Sequence, residues 1–215
     1  VLELGLKVFI AYLAGSLNGA LFVGWLYGGI DIRKLGSGNA GGTNALRTQG
    51  TLFAVLVMLV DIGKGVLPVL VLPNLELSGV GLDPGISREW LTYACGGAAI
   101  FGHCYPVWFQ FAGGKGAATT LGVLAAVAPL TILPAAAAWF GVLLIFGYVG
   151  LATVVSAFAI PVFVALTDWP NQPGLLLFTS LVALFVAYTH RSNIRKLAQG
   201  QTSPDISFSL LHRSD

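Results

Sequence analysis

The sequence predicts an all-α, polytopic integral membrane helix bundle of about seven spans, N-terminus outside and C-terminus cytoplasmic. Three observations carry this. Hydrophobic residues make up 56% of the 215 positions and charged residues only 9%, against about 25% charged in an average soluble domain. Residues 8–30, 90–114 and 116–167 contain no Asp, Glu, Lys or Arg. Lysine and arginine are also unevenly shared between the loops. The composition excludes disorder, which needs low hydrophobicity and many charges. It excludes an ordinary cytosolic globule, whose surface 20 charged side chains would not cover. A net charge of +2 argues against a nucleic-acid binder. Membrane β-barrels alternate polar and apolar residues along each strand, and these uninterrupted runs do not.

The spans fall at roughly 5–29, 51–73, 89–106, 116–129, 133–148, 151–167 and 173–190. The first is too long for a signal-peptide core and has no clear small-residue cleavage site, so no cleaved leader is expected. The second carries Asp61 and Lys64, three apart and therefore on one face. A charge at a helix centre costs roughly 2.5–3.5 kcal/mol, so the two are read as a structural ion pair. The third holds Cys95 and Cys104, read as small buried hydrophobes rather than a disulfide framework; a catalytic thiol at Cys104 is the lesser alternative. The fourth and fifth are short, and Pro129 and Pro134 mark the turn between them. Ser156, an isolated hydroxyl in the sixth, is first a helix-packing residue and second a candidate substrate contact. Residues 1–215 are expected to form one domain.

Orientation follows from the loop charges. Residues 30–50, 107–115, 149–150 and the tail carry Arg33, Lys34, Arg47, Lys115, Arg191, Arg195, Lys196 and Arg213. The opposite side carries Lys7 and Arg88 beside Glu3, Glu76, Asp83, Glu89 and Asp168. The basic side faces the cytoplasm. Trp25, Trp90, Trp108 and Trp169 stand near span ends, as interface anchors do.

Chemistry gathers in three polar stretches. The first runs from Asp31 to Arg47 and interleaves Gly36, Gly38, Gly41 and Gly42 with Ser37, Asn39, Thr43 and Asn44. Glycines let backbone amides approach an anion, the short side chains add donors, and Arg47 adds a bidentate fork for phosphate. Thr43 or Asn44 would cap a short helix there. A flexible membrane loop explains the glycines but not this set of donors.

The second stretch runs from Gly102 to Gly122. Gly113, Gly114 and Gly116 surround Lys115 ahead of an uncharged helix, an anion cradle at a helix start. It is not a Walker A loop, since Phe109 and Gly116 stand where that pattern needs Gly and Ser/Thr. A lone snorkelling lysine is the plainer reading. His103 is read as a hydrogen-bonded structural residue.

The third stretch follows the last span. His190, Asn193 and Lys196 share a face if the segment is helical. A neutral His beside Asn and cations suits a proton acceptor or a phosphate ligand. A basic stop-transfer tail explains the cations alone. Together, segments 31–47, 113–119 and 190–196 hold seven basic residues and one acid, a cationic face hidden by the bland total.

No His/Cys/carboxylate cluster has metal spacing, and no Gly-x-Ser-x-Gly elbow or H-x-x-x-x-D dyad occurs. The Asp-rich signature of the CDP-alcohol phosphotransferases is missing as well.

In order and spacing, Gly36-Ser-Gly-Asn-Ala-Gly-Gly-Thr-Asn-Ala-Leu-Arg47, then Gly102-His103 with Pro106 and Phe111-Ala-Gly-Gly-Lys-Gly-Ala-Ala-Thr119, then His190-Arg-x-Asn-Ile-x-Lys-Leu197 form a set. With Asp61-x-x-Lys64-Gly65, the set resembles the bacterial acyl-phosphate:glycerol-3-phosphate acyltransferases, the PlsY-type membrane enzymes, over nearly the whole chain. The resemblance departs in the tail, where Gln201 and Thr202 follow Gly200 and the first acid is Asp205, and where Ser192 takes a position often held by Glu.

The resemblance implies transfer of a fatty acyl group from acyl phosphate to the 1-hydroxyl of glycerol 3-phosphate. The products are lysophosphatidic acid and phosphate, the first step of phospholipid biosynthesis. It implies seven helices in the bacterial inner membrane, a cytoplasmic active site, a monomer among membrane lipids, and no cofactor, metal or nucleic acid. It makes Ser37, Arg47, Lys115, His190 and Asn193 catalytic candidates. Gly36, Gly38, Asn39, Thr43, Asn44, Gly113, Gly114, Gly116, Lys196 and, weakly, Ser156 become substrate contacts. The first motif is assigned phosphate and donor-carbonyl contacts, the second mainly glycerol 3-phosphate. Acyl phosphate is already activated, so positioning and an oxyanion donor suffice without a serine nucleophile. The attacking hydroxyl's proton goes to His190 or to a substrate phosphate. The competing class is a small transporter for an anionic solute, which broken helices and glycine cradles also serve. Against it, the polar residues gather on one side, with no inverted repeat.

Overall fold

The structure, a computed structural model, describes residues 1–168, 170–202 and 204–205. Trp169 and Arg213, used above for anchoring and orientation, lie outside the described residues. The described residues are helical, without strands. They form two compact units, one of Val1–Val127 and one from Ala128 onward.

Unit 1 contains α1 (Leu2–Gly15), α2 (Gly19–Leu26), α3 (Gly42–Gln49), α4 (Thr51–Val71), α5 (Arg88–Cys104) and α6 (Ala117–Val127). The expected first span is not one helix. It breaks at Ser16–Asn18, and α2 leaves α1 at 49°. Asn18 is extended and its side-chain oxygen accepts from Leu21 N at 3.1 Å, a local N-cap that competes with continuation. Such a break leaves backbone groups unpaired in an apolar setting, which is tolerated only if protein groups satisfy them. The Asp61–Lys64 pair does so: Lys64 Nζ donates to Leu17 O at 3.0 Å and Gly19 N donates to Asp61 Oδ1 at 2.9 Å. The ion pair itself spans 2.7 Å.

Small residues set the helix spacing. A Cβ on Gly15 would run into the backbone of Ala99, and one on Gly102 into Tyr12 O, so α1 and α5 touch backbone to backbone. Gly65 and Gly122 do the same for α4 and α6, against Thr119 O and Ile62 O. Cys95 and Cys104 are buried free thiols.

Lys7 is not a loop cation. It is buried, with Nζ donating to Glu3 Oε1 at 2.8 Å and to Pro73 O at 3.2 Å. Arg88 joins them through both Glu3 oxygens, at 2.5 and 2.9 Å, so one carboxylate serves two cations. Lys7 lies one helical turn from Glu3, a pairing that outweighs exposure of its ammonium.

Unit 2 contains α7 (Ile132–Phe146), α8 (Val149–Thr167), α9 (Pro173–Thr189) and α10 (Arg191–Ala198). Here α7 packs on α8 and α8 on α9, and α10 turns 55° from α9 at His190. Asp205 folds back: its N donates to Gly147 O at 2.7 Å, and its Oδ2 accepts from Val149 N at 2.8 Å, capping α8.

All seven expected segments are helical. Three helical stretches, Thr51–Asn74, Pro129–Phe146 and Val149–Thr167, are long and apolar enough to cross a membrane, or up to five if each bent pair counts as one span. At 17 and 11 residues, α5 and α6 fall below that length.

Candidate active site

The first stretch is wound around Asn44. Its side chain is buried and makes the loop's internal bonds: Nδ2 faces the carbonyls of Leu35 (2.9 Å), Asn39 (3.1 Å) and Ile32 (3.2 Å), and Oδ1 accepts from Ser37 N at 2.9 Å. Its carboxamide is taken up by the loop's own backbone, which explains why a short amide stands there. Gly36 has φ +54, and a Cβ would meet Asn44 Oδ1 and Thr48 Cγ2, so glycine is required on both counts. Ser37 and Gly38 lie exposed on the loop, with Asn39 half-buried.

Thr43 and Asn44 do not cap α3. The cap is Gly41, in extended conformation and without a side-chain cap bond, so the helix begins at Gly42, one residue before Thr43. Thr43 and Arg47 stand four apart on the exposed face of α3.

The second stretch returns from α5 through a short 3-10 turn, Val107–Phe109, to Gly113. Gly113 N donates to Cys104 O at 3.2 Å and Gly114 N to His103 O at 3.1 Å, fastening the loop to the end of α5. A Cβ on Gly114 would collide with the His103 ring and, at 2.6 Å, with Ala40 O. The two glycine-rich stretches therefore meet at Gly114 and Ala40. Gly116, at φ +88, leads into α6, with Lys115 half-buried beside it.

Beneath this contact lie Asp61, Lys64 and His103, all buried. His103 Nδ1 lies 2.9 Å from Lys64 Nζ and 3.2 Å from Asp61 Oδ1. Asn18 Nδ2 donates to Ala40 O at 3.2 Å, tying the first stretch to the α1–α2 break. The sequence offered Asp31 and Arg33 only as loop charges, not as site residues. Asp31 holds Arg33 through Nε and Nη2, both at 2.9 Å, which lowers the Asp31 pKa from its ordinary value and raises that of Arg33. An Asp-x-Arg pair at the loop entry, and an Asn-Gly inside an apolar run, were the available signals.

Unit 2 carries the third stretch. His190 is buried at the bend, and its Nδ1 lies 2.8 Å from Val186 O. A carbonyl only accepts, so Nδ1 carries a proton. Asn193 N donates to His190 O at 2.9 Å, and the Asn193 side chain packs against Gly150 at the start of α8. Asn193 and the exposed Lys196 are three apart on α10; His190 is its cap rather than a member. Ser156 Oγ donates to Ala135 O at 2.8 Å across α7 and α8, which gives its hydroxyl a packing task.

A family model described as glycerol-3-phosphate acyltransferase matches residues 6–200. The glycerol-3-phosphate acyltransferase of Azotobacter vinelandii is 40% identical over 196 residues, covering 91% of this chain and 96% of that protein. That of Geobacter sulfurreducens is 39% identical over 191 residues, covering 89% and 92%. The crystal structure of PlsY, an integral membrane glycerol 3-phosphate acyltransferase in its glycerol 3-phosphate form, superposes with a TM-score of 0.80 at 33% identity, covering 98% of this chain and 99% of that one. Its lysophosphatidic acid form matches with the same score and coverage. On this agreement of sequence and all-helical fold, the chain belongs to the glycerol-3-phosphate acyltransferase family.

Proposed function

We propose that this chain transfers a fatty acyl group from acyl phosphate to the 1-hydroxyl of glycerol 3-phosphate, releasing phosphate and lysophosphatidic acid. It acts as one acyltransferase domain of seven spans in a bacterial inner membrane, monomeric, with its site toward the cytoplasm and its N-terminus outside. The observation that carries the reading is the meeting of two glycine-rich loops at Gly114 and Ala40 over a buried, ion-paired floor. Two phosphorylated substrates need two such cradles, and the matched family names glycerol 3-phosphate.

Ser37, Thr43 and Arg47 take the donor's phosphate and carbonyl, on a loop whose shape Asn44 keeps with Gly36, Gly38 and Asn39. Gly113, Gly114, Lys115 and Gly116 take the phosphate of glycerol 3-phosphate. Fixed amides and cations aimed at developing charge are the strongest contribution such a site makes. Lys196 adds positive charge, and Asn193 orients the substrate. His190 takes the proton of the attacking hydroxyl. Its support is the Nδ1 contact to Val186 O, which fixes the orientation of the ring. As the C–O bond to the glycerol oxygen forms, the bond to phosphate breaks, and inorganic phosphate leaves with the electron pair. The acyl chain lies among apolar side chains, at roughly 0.8 kcal/mol per buried CH₂.

The test is purified protein with acyl phosphate and labelled glycerol 3-phosphate. Labelled lysophosphatidate is expected with acyl phosphate and none with acyl-CoA. No product from either donor removes the proposal; product from acyl-CoA alone removes the donor.

A further inference from the structure

The two glycine-rich stretches are joined by a side chain belonging to neither set of candidates. Arg33 Nη1 donates to Phe109 O at 3.0 Å and to Ala112 O at 3.2 Å. Its Nε and Nη2 donate to the two oxygens of Asp31, each at 2.9 Å. Asp31 Oδ1 also accepts from Arg33 N at 3.1 Å. The guanidinium is thus held by a carboxylate on one edge and two carbonyls on the other, which its planar fork spans.

Those two carbonyls bracket Gln110 and Phe111, at φ +58 and +57. Two consecutive non-glycine residues in the left-handed region are a strained backbone, and it persists only where its surroundings over-determine it. Burial does not supply this, because Gln110 and Phe111 are both exposed. Pro106 O accepts from Phe109 N and Phe111 N at 3.1 and 3.0 Å, but these bonds lie inside the turn and do not anchor it to a neighbour. The start of the turn is tied to α1, through Val107 N to Ser16 Oγ at 3.4 Å and Trp108 Nε1 to Leu13 O at 3.3 Å, but the carbonyls on either side of the left-handed pair are held from outside by Arg33. Gly113, the first residue of the second cradle, follows Ala112 directly.

We propose that Asp31 and Arg33 form a clamp that holds the strained Val107–Ala112 turn and thereby sets the backbone of Gly113–Gly116 for the phosphate of glycerol 3-phosphate. Arg33 is a positioning residue, since four of its five N–H groups are bonded within the protein. The inference rests on the proposed reading that this loop takes that phosphate.

The test compares wild type with Arg33→Gln, Arg33→Lys, Asp31→Asn and the double variant Arg33→Gln/Gln110→Gly. With Arg33→Gln, KM for glycerol 3-phosphate is expected to rise about tenfold, as for loss of one charge-assisted hydrogen bond, with kcat and the acyl-phosphate KM within about threefold. Arg33→Lys behaves like Arg33→Gln, because a point charge cannot hold three partners in a plane. Adding Gln110→Gly restores most of the loss, since glycine adopts the left-handed conformation without strain. Amide exchange over residues 107–114 quickens in Arg33→Gln, less in the milder Asp31→Asn, and returns in the double variant. The exchange readout needs no turnover. If wild type acylates no glycerol 3-phosphate, quickened exchange still supports the clamp while the substrate reading fails. Unchanged exchange in both Arg33→Gln and Asp31→Asn, equal shifts in both KM values, or no restoration by Gln110→Gly overturns the clamp.

Discussion

Lys64 Nζ sits 2.9 Å from His103 Nδ1, 2.7 Å from Asp61 Oδ1 and 3.0 Å from Leu17 O. An ammonium has three donors, and here it has three polar partners. His103 Nδ1 lies within reach of both Lys64 Nζ and, at 3.2 Å, Asp61 Oδ1, and its Nε2 is the ring atom against Gly114. One lysine thus joins a carboxylate, a histidine ring and the loose end of a broken helix. Asp61 Oδ2 has no hydrogen-bond partner among the described residues, so the carboxylate depends on what Oδ1 holds.

Lys64→Met should destabilise the protein by about 3–5 kcal/mol, because it leaves Asp61 buried without its cation. The double variant Asp61→Asn/Lys64→Met should recover part of the loss. Thermal unfolding in detergent reads both. An unchanged unfolding temperature for Lys64→Met would show that the pair does not anchor the α1–α2 break.

Gly114→Ala should abolish acylation by forcing the loop off His103 and Ala40. Gly63→Ala, in the same protein, has open space around the added methyl and should keep full activity, with about 0.5–1 kcal/mol gained in helix stability. Product formation by the two variants separates a steric requirement at one glycine from intolerance of alanine in general.

Asn44→Ala should cost about 1–3 kcal/mol for each loop group left unsatisfied, and Asn44→Asp should fail as well, having lost the amide donors. Both should raise KM for acyl phosphate more than for glycerol 3-phosphate. Equal KM values with normal unfolding would return Asn44 to the status of a direct substrate contact.

The Asp31 carboxyl titrates below its ordinary value because Arg33 donates to it. Folding therefore gains from its ionised form at neutral pH. That gain fades as pH falls from the ordinary carboxylate range through the lowered folded value. Both partners are 27% exposed, so solvent screens the effect and it should be small. Exchange over residues 107–114, corrected for intrinsic rate, should quicken below about pH 4 in wild type and show no such step in Asp31→Asn.

His190→Gln should lower kcat by about a hundredfold or more with little change in either KM, the mark of a lost proton acceptor. Ser37→Ala should lose less, and mass spectrometry should find no acyl-enzyme on Ser37. A trapped acyl group there would replace direct transfer with a covalent route. A mild His190→Gln would move the proton to a substrate phosphate.

How much of this was legible in the chain is clear at particular residues. The apolar runs gave each helical segment, because a span's composition is a local property. The pairing of Asp61 with Lys64 was legible from their spacing of three, and the packing task of Ser156 from its isolation among apolar neighbours. The three polar stretches and their order were enough to indicate the family.

Tertiary structure alone decided the rest, since the deciding partners lie far away in the sequence. The first span breaks because Asn18 caps locally and Lys64 and Asp61, over 40 residues on, take up the freed carbonyl and amide. Lys7 is buried because Glu3 and Pro73 O receive it, and Asn44 serves its own loop because four backbone groups converge on it. Arg33 reaches Phe109 across 76 positions. Hydrophobic periodicity repeats within a few residues and can be read along the chain. A hydrogen bond in an apolar interior goes to whichever group the packing brings within 3 Å, and only the folded chain specifies which group that is.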